Sequence, residues 1–170
     1  MNWEEFKGAA PELAAVGEQL FNRAGVVMIG TIRKDGSPRI SPVEHVIAHG
    51  QLYLGMMWQS LKARDLLRDP RCVVHNVISD RHAKEGEFKL YGRAINIEDA
   101  DERRRYGQAL FEKIGWNPEG MNYHLFAVYI QSAAFFVAEA SQARILKRWR
   151  AGETVCAFRH GIDGQLIPIS

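Results

Sequence analysis

The sequence predicts a mainly β protein, built as a small closed or partly closed antiparallel barrel with a few helices rather than as a sandwich. About six to eight strand-like runs follow one another, and they outnumber the helical patterns between them. Most runs are separated by short turn signals, among them the hairpin signal Asp35-Gly36. No internal repeat, low-complexity run or linker divides the 170 residues, so we expect one domain over 1–170.

The first element is a helix predicted over 11–22, with Pro11 at its start and Gly25 soon after its end. Its apolar residues recur close to helical spacing: Leu13, Val16, Leu20 and Phe21. Three strand-like runs come next, at 26–33, 38–47 and 51–58. Because only short turns separate these runs, they predict a meander of antiparallel strands.

A second, short helix is predicted over 60–68 and is stopped by Asp69-Pro70. Two strands follow it, at 71–79 and 87–97. In the later strand the side chains alternate between two faces, with Phe88, Leu90 and Ala94 on one and Lys89, Tyr91 and Arg93 on the other. This alternation predicts a strand with one buried face.

A third helix begins at Asp99, where Glu102 completes a predicted capping box and Gly115 supplies the stop. Its apolar face is predicted to hold Tyr106, Leu110 and Ile114, and its solvated face Arg103, Arg104 and Arg105. The remaining chain predicts three β segments, at 125–140, 143–150 and 154–160.

The composition argues against several function classes. Lys and Arg total 22 against 20 Asp and Glu, so the net charge is only +2, and the scattered basic residues do not predict a nucleic-acid surface. Polar residues interrupt the longest apolar stretch and the acidic start lacks a signal sequence, so we expect a cytoplasmic protein with no membrane partner. The two cysteines, Cys72 and Cys156, are interpreted as inert thiols.

Motifs that would indicate other chemistry are absent from the sequence. No G-x-G-x-x-G, P-loop or G-x-S-x-G signature occurs, so dinucleotide-binding, P-loop and hydrolase interpretations lose their support. His45 and His49 lie four apart in an extended segment, which separates them too far to share an ion, and the other histidines are solitary. We therefore predict no metal site.

The short helix at 60–68 has an unusual charge pattern at its start. Lys62 and Arg64 lie in its first turn, where the helix dipole disfavours cations and no acidic residue precedes them. With Ser60 at the cap and unpaired backbone N–H groups, this is a candidate anion site in which Lys62 is one point charge and Arg64 a second. The alternative is an ordinary serine cap followed by solvated basic side chains.

A second segment, PRISPVEH at 38–45, favours the anion site. Arg39, Ser41 and Val43 share one face of this strand. Pro42 lacks a ladder N–H, so the strand must be at an edge, bulged or otherwise open near Ser41. Exposed backbone in such a strand would be free to hydrogen-bond a planar ring.

Taken in order, these segments resemble one protein family. The segments are DGSPRISPV, the strand QLYLGMMW, the S-x-K of 60–62 with the DPR that follows, and EFKLYGRA. Together they are similar to the FMN-binding split-barrel family, which includes pyridoxamine 5'-phosphate oxidase and the deazaflavin-dependent reductases. The resemblance extends from Leu13 to Trp149. It implies a six-stranded antiparallel split barrel and a homodimer, with two cofactor sites that each take residues from both chains.

The resemblance also implies which residues bind the cofactor. They are Arg39, Ile40, Ser41, Pro42, Val43, Met56, Met57, Ser60, Leu61, Lys62, Arg64, Trp149 and Arg150. The strand 39–43 resembles the family's segment that lies along the isoalloxazine and ribityl chain. Residues 60–62 match the family's phosphate-binding Ser-x-Lys. Residues 56–57 match the end of the strand that leads into that phosphate-binding loop. Trp149 resembles an aromatic residue that members place near the flavin from the partner chain, and packing on a β face is the alternative for it.

Departures from the family narrow the expected function. The oxidases carry an R-x-H substrate motif close to the C-terminus, and the Arg159-His160 pair lacks that spacing, so we expect that pyridoxamine phosphate is not the substrate. Met56, Met57 and Trp58 would make the cavity over the cofactor more apolar. We predict an FMN-dependent oxidoreductase that transfers hydride to or from another small molecule, with no catalytic residue identified. A deazaflavin-dependent reductase and a non-catalytic module that binds flavin or haem are the alternatives.

Overall fold

The computed structural model describes residues 1–79, 84–138 and 143–169, which form four helices and nine strands. The helices are α1 (Trp3–Ala9), α2 (Pro11–Ala24), α3 (Leu61–Arg68) and α4 (Ala100–Ile114). The strands are β1 (Val26–Ile32), β2 (Pro38–Ala48), β3 (Gln51–Met57), β4 (Arg71–Asn76), β5 (Glu87–Asn96), β6 (Tyr123–Ala138), β7 (Arg144–Arg150), β8 (Cys156–His160) and β9 (Leu166–Ile169). None of these helices has both the length and the apolar character needed to cross a membrane.

Six of the strands close into an antiparallel barrel. Around the ring the order is β3, β2, β1, β4, β5 and β6, and β6 pairs with β3 to complete it. β6 is 16 residues long, so its first part closes the barrel on β3 and its last part pairs with β7. β8 and β9 continue this sheet beyond the barrel. The predicted mainly β class and six-stranded split barrel are confirmed.

β2 has strand partners on both sides along only part of its length. It pairs with β1 from Pro38 to Glu44, whereas its pairing with β3 covers only His45 to Ala48. Among the described residues, the stretch 38–44 therefore has no strand on its second side. Pro42 lies in this stretch, where a residue without an N–H is tolerated. The opening predicted near Ser41 is confirmed.

Apolar side chains from α2 and α3 fill the core together with the barrel strands. Phe21 of α2 lies against Phe88 of β5, with ring centroids 5.4 Å apart, and a side chain at Gly17 would collide with the ring of Phe88. From α3, Ala63 and Leu66 are buried in the same cluster. Burial of this apolar surface holds both helices to the barrel.

α4 packs on the outer surface of the barrel and forms a second apolar cluster. Leu54 of β3 belongs to the core, so its neighbour Tyr53 points to the opposite face, and Tyr53 is buried there against Tyr106 of α4 at 5.7 Å between ring centroids. Leu110 of α4 and Leu125 of β6 belong to the same outer cluster. The chain therefore has a core inside the barrel and a smaller one beneath α4.

The capping box predicted at the start of α4 is only half formed. The Asp99 carboxylate accepts a hydrogen bond from the Glu102 N–H at 2.8 Å, but the Glu102 carboxylate accepts the Tyr53 hydroxyl at 2.9 Å. Arg103, predicted to be solvated, donates to two backbone carbonyls and lies over the ring of Tyr123 at 3.9 Å. Tertiary partners in the barrel therefore replace the local and solvent contacts that the sequence indicates.

Two elements near the ends of the described chain were not predicted. α1 starts with a capping box between Asn2 and Glu5, a signal present in the sequence but followed by only seven helical residues. β9 pairs with β8 and is exposed along its length, so it lacks the alternation that identifies a half-buried strand. Ile114, predicted on the apolar face of α4, is 50% exposed because it lies at the helix end.

Candidate anion site between β2 and α3

A buried carboxylate fixes α3 against the barrel. Asp65 is 4% exposed and accepts hydrogen bonds from Thr31 Oγ1 at 3.0 Å, Arg39 Nε at 2.7 Å and Arg68 Nη2 at 3.3 Å. Thr31 belongs to β1, Arg39 to β2 and Arg68 to α3 itself. Arg68 also donates to the carbonyl oxygen of Ile32. One acidic residue therefore joins three elements in the region where the anion site was predicted.

Burial and hydrogen bonding act in opposite directions on Asp65. Burial by itself would raise the pKa of the carboxyl group, but hydrogen bonds from Arg39, Thr31 and Arg68 and the charge of Arg39 together lower that pKa below its ordinary value. The carboxylate is therefore ionised at neutral pH and holds Arg39 by a charge-assisted bond. The sequence analysis predicted Arg39 as a cofactor-binding residue, and in the structure its Nε is already used by Asp65. Its two amino groups have no hydrogen-bond partner among the described residues.

Ser60 occupies the N-cap position of α3 without capping it. Its backbone is extended, with φ −58° and ψ 148°, and its side chain makes no hydrogen bond to the helix. The hydroxyl oxygen is buried and has no partner in the described part of the chain. The first N–H groups of the helix, on Leu61, Lys62 and Ala63, therefore lack a capping side chain. The ordinary serine cap, weighed above as the alternative, is wrong.

Lys62 connects the helix start to the open stretch of β2. Its Nζ donates to the carbonyl oxygen of Pro42 at 3.0 Å, and no carboxylate of the described residues pairs with it. Burial lowers the pKa of Lys62. An ammonium group has three N–H donors, so two remain for an external acceptor. Lys62 is thus a partly desolvated cation rather than a freely solvated one.

The other residues predicted on β2 lie on two faces of the strand. Arg39, Ser41 and Val43 are on the less exposed face, as predicted, whereas Ile40 and Pro42 are exposed on the other. Ile40 is 72% exposed. A planar ligand beside this strand would therefore meet either the polar face or the apolar face, but not all five side chains from one chain.

The remaining predicted residues near α3 differ in exposure. Met56 is buried in the core, while Met57, the last residue of β3, is 78% exposed. Leu61 and Arg64 are exposed on α3, and Arg64 makes no hydrogen bond or ion pair with a described residue. Of the two predicted point charges, Lys62 is therefore held at the open stretch of β2, and Arg64 is exposed to solvent.

Trp149 and Arg150 are not brought to this region within one chain. They lie on β7, whose neighbours in the sheet are β6 and β8. Trp149 is 2% exposed, and its ring packs on Phe6 of α1 with centroids 5.0 Å apart. The packing role named as the alternative is therefore present. Its indole Nε1 is nevertheless buried without a hydrogen-bond partner in the described residues, and Arg150 is exposed.

His45, farther along β2, has a structural environment. It is 1% exposed, and its Nε2 lies 3.2 Å from Asn22 Oδ1 and 3.3 Å from Lys113 Nζ. Burial, and then the charge of Lys113, lower the pKa of His45 to about 3, so the ring is neutral at physiological pH. Lys113 also donates to the His45 carbonyl oxygen at 2.9 Å. This group of residues ties α2, β2 and α4 together.

An open cleft of about 250 Å³ lies beside Met57, at the end of β3. We call it the aromatic cleft. Its apolar walls include Met57, Trp58, Trp116, Met121 and Tyr123, and Glu44 also lines it. The sequence analysis identified Met57 and Trp58 as apolar residues of the cavity over the cofactor. It missed Trp116 and Met121, because they come from the loop after α4 and only the fold brings them to β3.

Sequence reasoning also missed Asp65 and Thr31. The available signal was the position of Asp65 between Ala63 and Leu66, since an acidic residue among apolar positions of a short helix requires a buried partner. The sequence does not say which partner that is, because Thr31 and Arg39 belong to other elements.

The fold and this site together define a class of protein. It is a split-barrel protein in which an open strand and an uncapped short helix carry a candidate anion site. The chain belongs to the pyridoxamine 5'-phosphate oxidase family, because the family model of that description matches residues 14–147. No curated protein matches the chain.

Solved structures from several bacteria share the fold. A protein related to general stress protein 26, of the pyridoxinephosphate oxidase family, from Clostridium acetobutylicum is 16% identical, with a TM-score of 0.57 over 90% of this chain and 96% of that one. A haem-binding protein from Mycobacterium smegmatis is 16% identical, with a TM-score of 0.60 over 80% and 57%. A conserved hypothetical protein from Mycobacterium tuberculosis is 20% identical, with a TM-score of 0.61 over 70% and 81%. At these identities the likeness supports the fold alone.

Replacing Asp65 with Asn is expected to lower the free energy of unfolding at pH 7 by about 3 kcal/mol, because two arginines lose a buried carboxylate. The folded-state pKa of Asp65 lies below its ordinary value of 3.8, so the stability it contributes is present above that pH and is lost as pH falls through the lowered pKa. Urea unfolding at pH 7 and at about pH 3 measures both effects.

The matched control is Asp101→Asn, which alters an exposed carboxylate at the start of α4. It should cost less than about 1 kcal/mol. Equal losses in the two variants, or an unchanged acid response in Asp65→Asn, would contradict the role assigned to Asp65.

Proposed function

We propose that this protein is an FMN-dependent oxidoreductase that acts on a small organic substrate other than pyridoxamine phosphate. The observation that supports the proposal is the group at the start of α3: a buried hydroxyl without a partner at Ser60, an uncapped helix, and the partly desolvated Lys62. A phosphate monoester brings negative charge and several acceptor oxygens to these donors. The residues present therefore fit the phosphate of a flavin mononucleotide.

In the proposed complex, each group of this site has its own task. The Ser60 hydroxyl and the first N–H groups of α3 donate to phosphate oxygens, and Lys62 adds charge. Arg39, oriented by Asp65, offers its amino groups on the β2 side. The open stretch 38–44 offers backbone groups to the ring system. When bound, FMN would supply hydride transfer, while the protein binds the cofactor, orients it and limits water access.

A deazaflavin coenzyme is the second candidate cofactor. Its phosphate would use the same donors at the start of α3, and its ring would lie along the same open stretch of β2. The site residues distinguish the two cofactors only through the ring, so titration with each one decides between them.

A non-catalytic module that binds haem is the alternative function. The observation that favours it is His124, which is 6% exposed, has no hydrogen-bond partner at Nε2 among the described residues and stacks on Trp58 at 4.4 Å. A neutral imidazole is a common iron ligand. Burial, and then the charge of Arg103, lower the pKa of His124 and favour that neutral form. The anion site at α3 has no part in this alternative, which is why we rank it second.

The proposed function includes a homodimer in which each site takes residues from both chains. The outer faces of the neighbouring strands β5 and β6 expose large apolar side chains, with Tyr91 at 44%, Ile95 at 46% and Tyr129 at 51%. A second copy that covers this surface would bury it. The exposed Arg150 would then be available to the cofactor of the partner chain, as the family resemblance implies, whereas the buried Trp149 would keep its packing role.

Lys62→Ala is expected to weaken FMN binding by about 1.5 to 3 kcal/mol, roughly 10- to 150-fold in Kd, because a charge-assisted hydrogen bond is lost. Isothermal titration with FMN measures this directly. Lys34→Ala, at an exposed lysine in the turn between β1 and β2, is the control and should bind FMN like the unmodified protein. Equal affinity in both variants would mean that Lys62 does not bind the cofactor phosphate. Haemin binding without FMN binding would favour the alternative function.

The purified protein is expected to sediment as a dimer at micromolar concentration, because the exposed apolar face requires cover. Ile95→Asp, which places a charge on that face, should shift the equilibrium toward monomer and weaken FMN binding at the same time. Glu98→Gln, an exposed change just beyond β5, is the control. A monomer that binds FMN at full stoichiometry would contradict the shared site.

FMN-loaded protein is expected to oxidise pyridoxamine phosphate at a negligible rate. That substrate carries its own phosphate, whereas Arg39 and Lys62 are assigned to the cofactor in the proposed complex and Arg64 is exposed on α3. Burying a phosphate group without partners in a pocket that excludes water costs about 3 kcal/mol or more of binding free energy. A steady-state assay for pyridoxal phosphate measures the rate. Robust production would mean that another basic residue, such as Arg148 or Arg159, completes a second anion site.

A further inference from the structure

We propose that the aromatic cleft binds flat aromatic molecules and prefers neutral or cationic ones to anionic ones. This assignment rests on the proposed function, because it places the reaction partner of the cofactor in the cleft. It names a chemical class of ligand that neither the family membership nor the similar structures specify. Three features of the cleft support it: its walls, its charge and its position.

The walls of the cleft are aromatic and exposed before any ligand is present. Trp58 is 54% exposed, Trp116 45% and Met121 59%. Trp58 stacks on His124 with an interplanar angle of 11°, so one wall is held flat. Flat rings gain from stacking on such surfaces, and a methionine side chain adapts to rings of different outline. The shape therefore favours a planar ligand.

The charge of the cleft comes from Glu44. It is the only charged residue among the described residues that line the cleft, and its carboxylate makes no hydrogen bond or ion pair within the described chain. Indole and phenol rings attract cations as well. A cationic ligand would therefore meet favourable groups on two sides, while an anionic ligand would meet a free carboxylate.

Two nearby cations do not reverse this preference. Lys113 lies close to Glu44, but its Nζ donates to Asn22 and His45, away from the cleft. Burial lowers the pKa of Lys113, and the charges of Glu44 and Glu18 oppose that shift. Arg103 lies over the ring of Tyr123 but does not line the cleft.

The position and size of the cleft fit a small reaction partner. Met57, which lies at the end of the strand before Ser60, also lines the cleft, so the cleft borders the proposed cofactor site. Its volume of about 250 Å³ is below the range of about 300 to 1,000 Å³ that is typical of pockets for drug-sized ligands. The expected ligand therefore has about two or three fused rings.

Equilibrium dialysis of the cofactor-free protein against two acridines of opposite charge tests the assignment. The probes are proflavine, a cation, and acridine-9-carboxylate, an anion of similar ring size. Proflavine should bind more tightly, and Glu44→Gln should reduce its advantage by about three- to tenfold, as expected for an exposed charge acting on opposite ligand charges. Trp116→Ala should weaken both probes by about fivefold, because it removes a stacking surface.

Glu119→Gln is the matched control. It neutralises an exposed carboxylate in the loop after α4, and Glu119 itself does not line the cleft. It should leave both affinities unchanged. Equal binding of the two probes, or an equal response to Glu44→Gln and Glu119→Gln, overturns the assignment. A separate FMN titration keeps the two proposals apart. If the probes bind as expected and FMN does not bind, the ligand class assigned to the cleft is supported and the proposed cofactor is contradicted. If FMN binds and the probes do not, the cofactor is supported and the assignment of the cleft is contradicted.

Discussion

The bonds to the Asp65 carboxylate determine the geometry of the anion site. α3 has only eight residues, and a helix of that length is not stable alone in water. Asp65 ties it to β1 through Thr31 and to β2 through Arg39. The uncapped start of the helix, with Ser60 and Lys62, is thereby held beside the open stretch of β2. A purely apolar contact would bury α3 equally well, but it would not fix the direction of the Arg39 guanidinium.

The same carboxylate also limits how much negative charge the site accepts. Asp65 carries one negative charge against the two arginines that it holds, so the remaining arginine charge adds to that of Lys62 and the helix start. In the proposed complex this charge would face the single phosphate group of the cofactor. Beyond Met57 the surface changes character, because the aromatic cleft has apolar walls and a single carboxylate, Glu44. Two neighbouring regions with opposite preferences for charge thus meet at the end of β3.

The sequence predicted what local patterns determine and missed what distant contacts determine. Alternation along β5 identified its buried face, and Pro42 identified the open part of β2, because each signal lies within one strand. The strand partners of Asp65, Arg39 and Thr31, lie 26 and 34 residues away, so no local pattern reveals them. The Glu102 side chain was misassigned for the same reason, since a local cap and the distant Tyr53 hydroxyl compete for one carboxylate. The Trp149 ring likewise depends on α1, which was not predicted.

Barrel closure by β3 and β6 has a consequence for the order of folding. That pairing joins residues 53–57 to 123–127, and the long sequence separation makes its closure entropically costly, so we expect it to form late. The residues of the anion site all lie within 31–68, where the meander and α3 form from nearer contacts. The aromatic cleft needs both β3 and the loop after α4. The anion site therefore belongs to the part of the chain that can assemble early, and the cleft is completed only when the ring of strands closes.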